Sequence, residues 1–388
     1  MPKKTSQKKI ALFHPWIKSK GGAEKLILEI LKTSKHKIDL YTWIYDEKNT
    51  FKEFKNFNIK VLTPKFGSKL ARLHLLRGLF LPLSLFKKIP LENYDLFLVS
   101  TSGVAEFITF RNRIKGKTYA YVCTPLREAS KNIVKWNLKN RYNKNLLKKG
   151  FYLFSVKIYK FFEKIAWKKF DKVAFISDLS KSRALERNLI KNKNVSLIYP
   201  PVDFSRFENL KKEKKGKLLV YYSRLNPPKR QDLLLKAWKN FVKKNPKYNL
   251  SLVGSIDNKN YFEKLKKLQS ETKNVEIKTN VSDKDLEKIL SNSSAGIFLG
   301  YEEDFGIVPF EILAAGKSLL AVDKGGYAGL IKNHPNFYKI KEKHDSKEMI
   351  KEIEKSLTDF VKKSKKKVKN PKIKLNNFTK EIDTFLEN

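Results

Sequence analysis

Short apolar runs alternate with amphipathic stretches along nearly the whole chain, and this alternation constrains the fold more than any single motif. In the first half the runs fall at 9–16, 38–43, 59–62, 96–100, 119–122, 173–176 and 195–199, each short enough for a buried strand. Helical spacing intervenes, as at Leu26, Ile27, Ile30 and Leu31. Strands separated by helices pair in parallel, with helices on both faces of the sheet. A second series starts at 218–222 and continues at 250–253, 275–277, 295–299 and 319–322. Between the two series, Pro200-Pro201-Val202-Asp203 halts regular structure, and a lysine-rich segment follows at 211–217. At 388 residues the chain exceeds one ordinary core. The pattern predicts an α/β domain over 1–200, a linker over 201–216, a second α/β domain over 217–374 and a short C-terminal helix within 375–388. That last helix is expected to pack back on the first domain.

The chain carries 83 Lys and Arg against 39 Asp and Glu, a net charge of +44. Such an excess favours anionic partners: nucleic acid, an acidic membrane surface or phosphorylated ligands. It also fits a lysine-rich genome with solvated helix faces, because the basic residues form no single block. Cys123 is the sole cysteine, which excludes an internal disulfide and fits a reducing compartment. The basic start leads into an apolar run of only four residues, 10–13, too short for a signal peptide or a membrane span. The most lipid-like stretch, 70–89, is interrupted by Arg77, Gly78 and Pro82. It reads either as an interfacial segment or as a buried helix pair. Over 132–169, Trp136, Phe151, Tyr152, Phe154, Tyr159, Phe161, Phe162 and Trp167 stand among lysines. Aromatics among lysines could stack on bases, but one buried helix stripe is the favoured expectation. A charged connection at 362–374 reads as solvated loop.

Candidate chemistry concentrates on 300–316. Glu303 lies in a loop, Gly306 opens the following helix, and Glu311 lies inside that helix. Backbone N–H groups of Gly306, Ile307 and Val308 are left free at a helix start, and such groups bind anions. A loop carboxylate, free amides and a helical carboxylate suit a sugar nucleotide. After the strand at 218–222, Arg224 and Lys229 project from one loop, a pairing suited to a diphosphate. Gly254, after the next strand, allows close backbone approach. All of these sit at one C-terminal sheet edge, where open α/β sheets bind ligands. In the first half, Gly21-Gly22 between a strand and a helix has the form of a phosphate-approaching turn. Pro125 is expected to stop the strand ending at Val122, leaving Cys123 in the loop and Arg127 near the sheet edge.

These motifs together resemble glycosyltransferase family 4, retaining enzymes of the GT-B fold with two Rossmann-like α/β domains facing across a cleft. The resemblance rests on Ser223-Arg224-Leu225 through Lys229, on Glu303-Asp304-Phe305-Gly306-Ile307-Val308-Pro309-Phe310-Glu311 with Ala315-Gly316, and on three first-domain motifs. The latter are Gly21-Gly22-Ala23-Glu24, Thr124-Pro125-Leu126-Arg127 and the run from Leu197 to Asp203. A mannosyltransferase-like subgroup is the nearest pattern. The resemblance implies an acceptor-side first domain and a donor-binding second domain. Arg224 and Lys229 would hold the donor diphosphate, Glu311 the ribose hydroxyls, and Glu303 would lie near the sugar. The amides after Gly306 would contact sugar or phosphates, and Gly22 would admit the diphosphate from the other domain. Gly325-Gly326 would complete the floor, and Gly21, Cys123 and Arg127 would lie on the acceptor or sugar side. Three positions depart from the pattern: Cys123 stands where the subgroup has His, Ser223 where Gly is usual, and Tyr327-Ala328-Gly329-Leu330 lacks an acid.

The function implied is transfer of a hexose to a lipid-linked or cell-envelope saccharide, by a cytoplasmic enzyme that sits peripherally on the inner membrane face. Mannose from GDP-mannose is the first choice and UDP-glucose the rival donor. No metal cofactor is expected, since the histidines are scattered. Two other functions compete. A GT-B sugar-nucleotide epimerase would share the fold but need no acceptor. A basic nucleic-acid-binding protein would use the charge, although no nucleic-acid motif supports it.

Overall fold

A computed structural model describes residues 7–63, 87–140, 142, 145–191, 194–208, 210, 217–363, 373 and 375–387. The chain divides into two compact units, one formed by Met1–Pro201 with Asn376–Asn388 and the other by Val202–Leu375.

The first unit is built on a parallel sheet. Among the described residues its strands are β1 (Lys9–Phe13), β3 (Lys37–Thr42), β5 (Ile59–Val61), β6 (Leu96–Gly103), β7 (Thr118–Pro125), β8 (Lys172–Phe175) and β9 (Asn194–Leu197). Their spatial order is β5-β3-β1-β6-β7-β8-β9. Two short strands, β2 (Trp16–Ile17) and β4 (Ile44–Tyr45), pair separately. β1 lies between β3 and β6, with Ile10 opposite both Ile38 and Leu96. Ile10 through Phe13 are fully buried, as expected of a strand covered on both faces. Helix α1 (Gly22–Thr33) follows the first loop and buries Leu26, Ile27 and Ile30.

The second unit repeats the plan with β10 (Leu218–Tyr222), β11 (Asn249–Val253), β12 (Val275–Lys278), β13 (Ala295–Phe298), β14 (Ser318–Val322) and β15 (Phe337–Ile340). Their order is β12-β11-β10-β13-β14-β15, every neighbouring pair parallel. The chain runs outward from β10 to β12 and then returns to β13 on the other side. The gap between the β10 and β13 carboxyl ends is therefore a topological switch point, the usual place for a ligand in such sheets.

Several sequence expectations differ from the structure. Pro125 does not stop β7 at Val122: the strand runs on to Pro125, which pairs with Gly103 after a register shift at Thr101/Ser102. A proline is tolerated at a strand terminus because only one ladder donor is lost. Cys123 is therefore a buried strand residue, not a loop residue. The segment read as a linker carries a short helix, Phe204–Glu208, with Phe207 buried and Arg206 held 2.6 Å from Glu287. β15 and the helix Ser346–Lys363 have no counterpart among the sequence expectations, although the latter buries Met349, Ile353, Leu357 and Phe360 at helical spacing. The C-terminal helix Phe378–Glu387 lies within the first unit: its Phe385 ring is 5.4 Å from Tyr119, and Ser34 donates to Asp383 over 2.7 Å. Most of the lipid-like stretch at 70–89 and of the charged connection at 362–374 lies outside the described residues.

The region 132–169 departs furthest. It forms two helices, α2 (Lys131–Asn140) and α3 (Leu146–Trp167), the second capped by the Asn145 side chain accepting from the Lys148 N–H. The aromatic stripe expected to be buried is not: Phe151, Phe154 and Phe161 are exposed. The inward face carries Glu163, Ala166 and Trp167 instead. It is held by Tyr159, whose hydroxyl donates to Glu106 over 2.5 Å and lies 3.1 Å from Glu163. Arg187 pairs with Glu163 at 3.0 Å. Polar tips bonding inward select that face over the phenylalanine face.

This cluster holds two buried carboxyls and one guanidinium, so one carboxyl keeps its proton at neutral pH. Burial, then the neighbouring Glu163, pushes Glu106 up to about 8, and burial likewise raises Glu163 to about 7. The unfolded chain ionises near 4.5. The folded-state advantage is therefore complete below that value and is lost as pH rises through 8. Urea unfolding followed at pH 5, 7 and 9 should show stability falling with pH. In Glu106→Gln that fall should shrink by on the order of 2 kcal/mol.

Candidate functional site

The loops at the carboxyl ends of β10, β13 and β14 converge at the switch point of the second unit. After β10, Pro227–Lys229 makes a tight turn and Arg230 takes a left-handed conformation, φ +57°. The turn is fixed from below: the Tyr221 hydroxyl donates to the Lys229 carbonyl and accepts the Leu299 N–H at 3.2 Å. Pro228 accepts the Tyr301 N–H at 2.8 Å, tying the β10 loop to the β13 loop. Arg230 stacks 4.3 Å over the Tyr301 ring and pairs with Glu342 at 2.8 Å. Glu342 in turn donates its N–H to Asp323, just past β14. Burial holds the Glu342 carboxyl above the usual carboxylate range, against the pull of Arg230.

These supports aim Lys229 and Glu303 at each other. The ammonium lies 2.5 Å from the Glu303 carboxylate and 5.1 Å over the Phe298 ring. Both side chains are largely buried. Behind Glu303, helix α9 (Ile307–Ala314) begins at Gly306, which adopts φ +81°, and no side chain caps it. The N–H groups at its first turn face the same edge, and a helix start of this kind attracts anions. Along α9, Glu311 accepts a hydrogen bond from the Tyr222 hydroxyl at 2.9 Å, which fixes one carboxylate oxygen at the end of β10. Beneath the loop, Gly326 donates its N–H to the Glu303 carbonyl at 2.9 Å. A Cβ on Gly326 would lie 2.0 Å from the Asp304 carbonyl oxygen, so the two loops touch backbone to backbone. Gly325 takes φ +134°, and a Cβ on Gly254 would lie 1.8 Å from the Ser223 carbonyl oxygen.

The structure thus gathers Lys229, Glu303, Gly306, Ile307, Val308, Glu311, Gly325 and Gly326 at one sheet edge. The two cations read as a pair stand in different surroundings. Arg224 is 52% exposed and lies 3.8 Å from Asp257, whereas Lys229 is enclosed with Glu303. Sequence reading missed the supports: Tyr221 and Tyr222 looked like strand core, and Arg230, Tyr301 and Glu342 carried no motif. The adjacent tyrosines at a strand's carboxyl end were the available signal, since a buried tyrosine needs a partner for its hydroxyl.

In the first unit, the sheet reverses between β1 and β6, and Gly21-Gly22 follows β1. Gly21 caps α1, and a Cβ there would meet the Glu24 carboxylate at 2.4 Å; nothing lies within 4 Å of one at Gly22. His14, Ser100 and Cys123 form a buried string across the carboxyl ends of β1, β6 and β7. His14 Nδ1 lies 3.0 Å from Ser100 Oγ, which lies 3.8 Å from Cys123 Sγ. Burial lowers the His14 imidazole to about 3, so it is neutral. No motif pointed to His14. Arg183 donates to Thr124 at 2.8 Å and Arg187 to the Leu126 carbonyl at 3.3 Å, which fixes the segment leading to Arg127. Arg127 itself is half-buried at the start of a short 3-10 turn.

Residues 202–374 match the family described as Glycosyl transferases group 1. A human GDP-Man:Man(3)GlcNAc(2)-PP-Dol alpha-1,2-mannosyltransferase is 31% identical over 146 residues, 34% of this chain and 30% of that protein. The matched stretch therefore spans under a third of that relative. Alpha-1,3/1,6-mannosyltransferase ALG2 of Kluyveromyces lactis is 24% identical over 369 residues, 82% of this chain and 70% of that protein. Among solved structures, Anabaena Alr3699/HepE in complex with UDP-glucose superposes with a TM-score of 0.60 at 16% identity, covering 92% of each chain. The chain has the GT-B fold, and the family match covers nearly the whole of its second unit.

Two glycine substitutions separate close packing from open space. Gly326→Ala should lower stability by about 2–4 kcal/mol, because the Asp304 backbone cannot move aside cheaply. Gly22→Ala should change it by less than about 1 kcal/mol. Urea denaturation of the two variants beside wild type checks the contrast.

Proposed function

We propose that the protein is a retaining glycosyltransferase of family 4 that moves a hexose from a nucleotide sugar to a lipid-linked or cell-envelope saccharide. The observation that carries this reading is the enclosed Lys229–Glu303 pair beside the uncapped start of α9, at the switch point of a group 1 domain. A diphosphate placed there meets the Lys229 ammonium and the N–H groups of Ile307 and Val308. Arg224, on the exposed side of the same loop, adds a second cation once the donor is present. Glu311, oriented by Tyr222, takes the ribose hydroxyls. Glu303 faces the sugar and holds Lys229 in place until the phosphates arrive. In the first unit, Gly22, where space is open, is assigned to phosphate contact, and Gly21, Cys123 and Arg127 to the acceptor or sugar side.

The reaction breaks the bond from the sugar anomeric carbon to the phosphate oxygen and forms one to the acceptor oxygen on the same face. The acceptor proton passes to the departing phosphate. Negative charge grows on the diphosphate as the bond breaks, so Lys229 and the helix N–H groups act where charge develops. Glu303 is not assigned a nucleophilic role. Mannose is the first-choice hexose, supported by the two mannosyltransferase relatives and by GDP-Man in the human protein's name. Glucose is the second, supported by the UDP-glucose in the Anabaena structure. The PP-Dol in the human protein's name supports a lipid-linked acceptor. No helix among the described residues is long and apolar enough to cross a membrane. The placement we propose is peripheral, on the cytoplasmic membrane face.

A thermal-shift panel of nucleotides and nucleotide sugars tests the reading, since a ligand bound only by the folded state raises the melting point. GDP-mannose or UDP-glucose should give a shift that Glu311→Ala removes and Tyr222→Phe reduces. Lys229→Ala should lower turnover about 10²–10³-fold. Protein that neither binds nor hydrolyses any nucleotide sugar would sink the proposal. A free epimerised sugar nucleotide in place of a glycoside would make it an epimerase.

A further inference from the structure

Helix α3 is anchored on one side and bare on the other. Its inward face is fixed by Tyr159 and Glu163, described above, and by Tyr152, whose hydroxyl donates to the Glu128 carbonyl at 2.9 Å. The outward face carries Leu147, Phe151, Phe154, Ile158, Phe161 and Ile165, all exposed. Their spacing alternates four and three residues, so they form one stripe along the helix. The exposure is not marginal: Leu147 is 87% and Phe151 73% accessible. Exposed apolar surface of this extent marks a place where something binds.

Charge identifies the occupant. Lys157, Lys164 and Lys168 follow the stripe along one edge and are exposed. The helix has one acid, Glu163, and it points inward. The outward face therefore offers phenylalanine and leucine bounded by positive charge with no acid to offset it. The four-three spacing alone would also suit a second helix. Two copies of this face, however, would oppose lysines with nothing to neutralise them. An anionic bilayer satisfies both halves of the surface: aromatic and aliphatic side chains enter the headgroup boundary, and the lysines meet lipid phosphates.

We propose that the outward face of α3 is a membrane-docking surface that recognises anionic lipid, seating the first unit on the bilayer. The inference rests on the membrane part of the function proposed above and assigns it to a particular element. Docking there would bring the first unit to the surface where a lipid-linked saccharide presents its sugar, making the surface a device for acceptor access.

The test uses the full chain and sedimentation with two kinds of vesicle, phosphatidylcholine alone and phosphatidylcholine mixed with phosphatidylglycerol. Wild type should bind the mixed vesicles and not the neutral ones. A variant with Phe151→Ser, Phe154→Ser and Phe161→Ser should lose at least about tenfold in partition. A second variant, with Lys157→Gln, Lys164→Gln and Lys168→Gln, keeps the apolar stripe and should lose on the order of 100-fold. All the replaced side chains are exposed, so melting temperatures should match wild type. Failure of wild type to bind mixed vesicles, or binding by both variants equal to wild type, overturns the proposal. A concentration-dependent dimer in light scattering that the serine variant abolishes also overturns it, in favour of a second copy. The nucleotide-sugar thermal shift, measured without vesicles on the same preparations, separates this outcome from failure of the transferase reading.

Discussion

Gly326 donates its N–H to the carbonyl of Glu303, and the second unit's site is built outward from that backbone contact. The loop after β14 lies directly against the loop after β13, with no side chain between them, so the position of Glu303 is set by main chain. Glu303 then fixes Lys229 through an enclosed ion pair, and Lys229 sits on a turn pinned by Tyr221. Each step is short-range and rigid. A charged pair taken partly out of water is held by geometry more than by net attraction, because desolvation offsets much of the Coulomb gain. In the function proposed above, an arriving diphosphate would replace Glu303 as the partner of the ammonium.

The supports around this pair come from different strands and reach it by different chemistry. Tyr221 and Tyr222, consecutive in β10, point to opposite faces of the sheet as strand residues must. One holds the Lys229 turn and the other holds Glu311. One dipeptide thereby positions both Lys229 and Glu311, the groups proposed above for the diphosphate and the ribose. Arg230, stacked on Tyr301 and paired with Glu342, links the same turn to the segment after β15. The two units solve a common problem in the same way, each placing its loop glycines where the strand order reverses. The residues bordering those glycines differ, and the first unit has a neutral His14 beside Ser100 and Cys123, the cysteine standing where the subgroup resembled has His.

Helix α3 shows how the same composition can serve two ends. Its tyrosines, Glu163 and the buried Trp167 make the contacts that fasten it to the first unit, while its phenylalanines and lysines face away. Whether an aromatic side chain on this helix is inside or outside depends on which face finds hydrogen-bonding partners at Glu106, Glu128 and Arg187. Those partners lie 20 or more residues distant from the side chains they hold, in 3-10 turns and a helix cap that periodicity does not register.

The sequence by itself determined the alternation of strands and helices, the two α/β units and the glycine-bounded segment 300–316 with its two acids. These follow from local spacing: burial on both faces fixes apolar runs, and a glycine before an apolar helical pattern fixes a loop and its helix start. It also carried the family resemblance, because the motif residues keep their order along the chain. Tertiary structure alone decided which groups meet. Arg224 and Lys229 are five positions apart and read as one cation pair, yet one faces Asp257 in solvent and the other is enclosed with Glu303. The strand expected to end at Val122 runs on to Pro125, because its partner Gly103 comes from β6. The outward phenylalanines of α3 looked like core, because amphipathic spacing reports that a helix has two faces and does not report which one the rest of the protein covers.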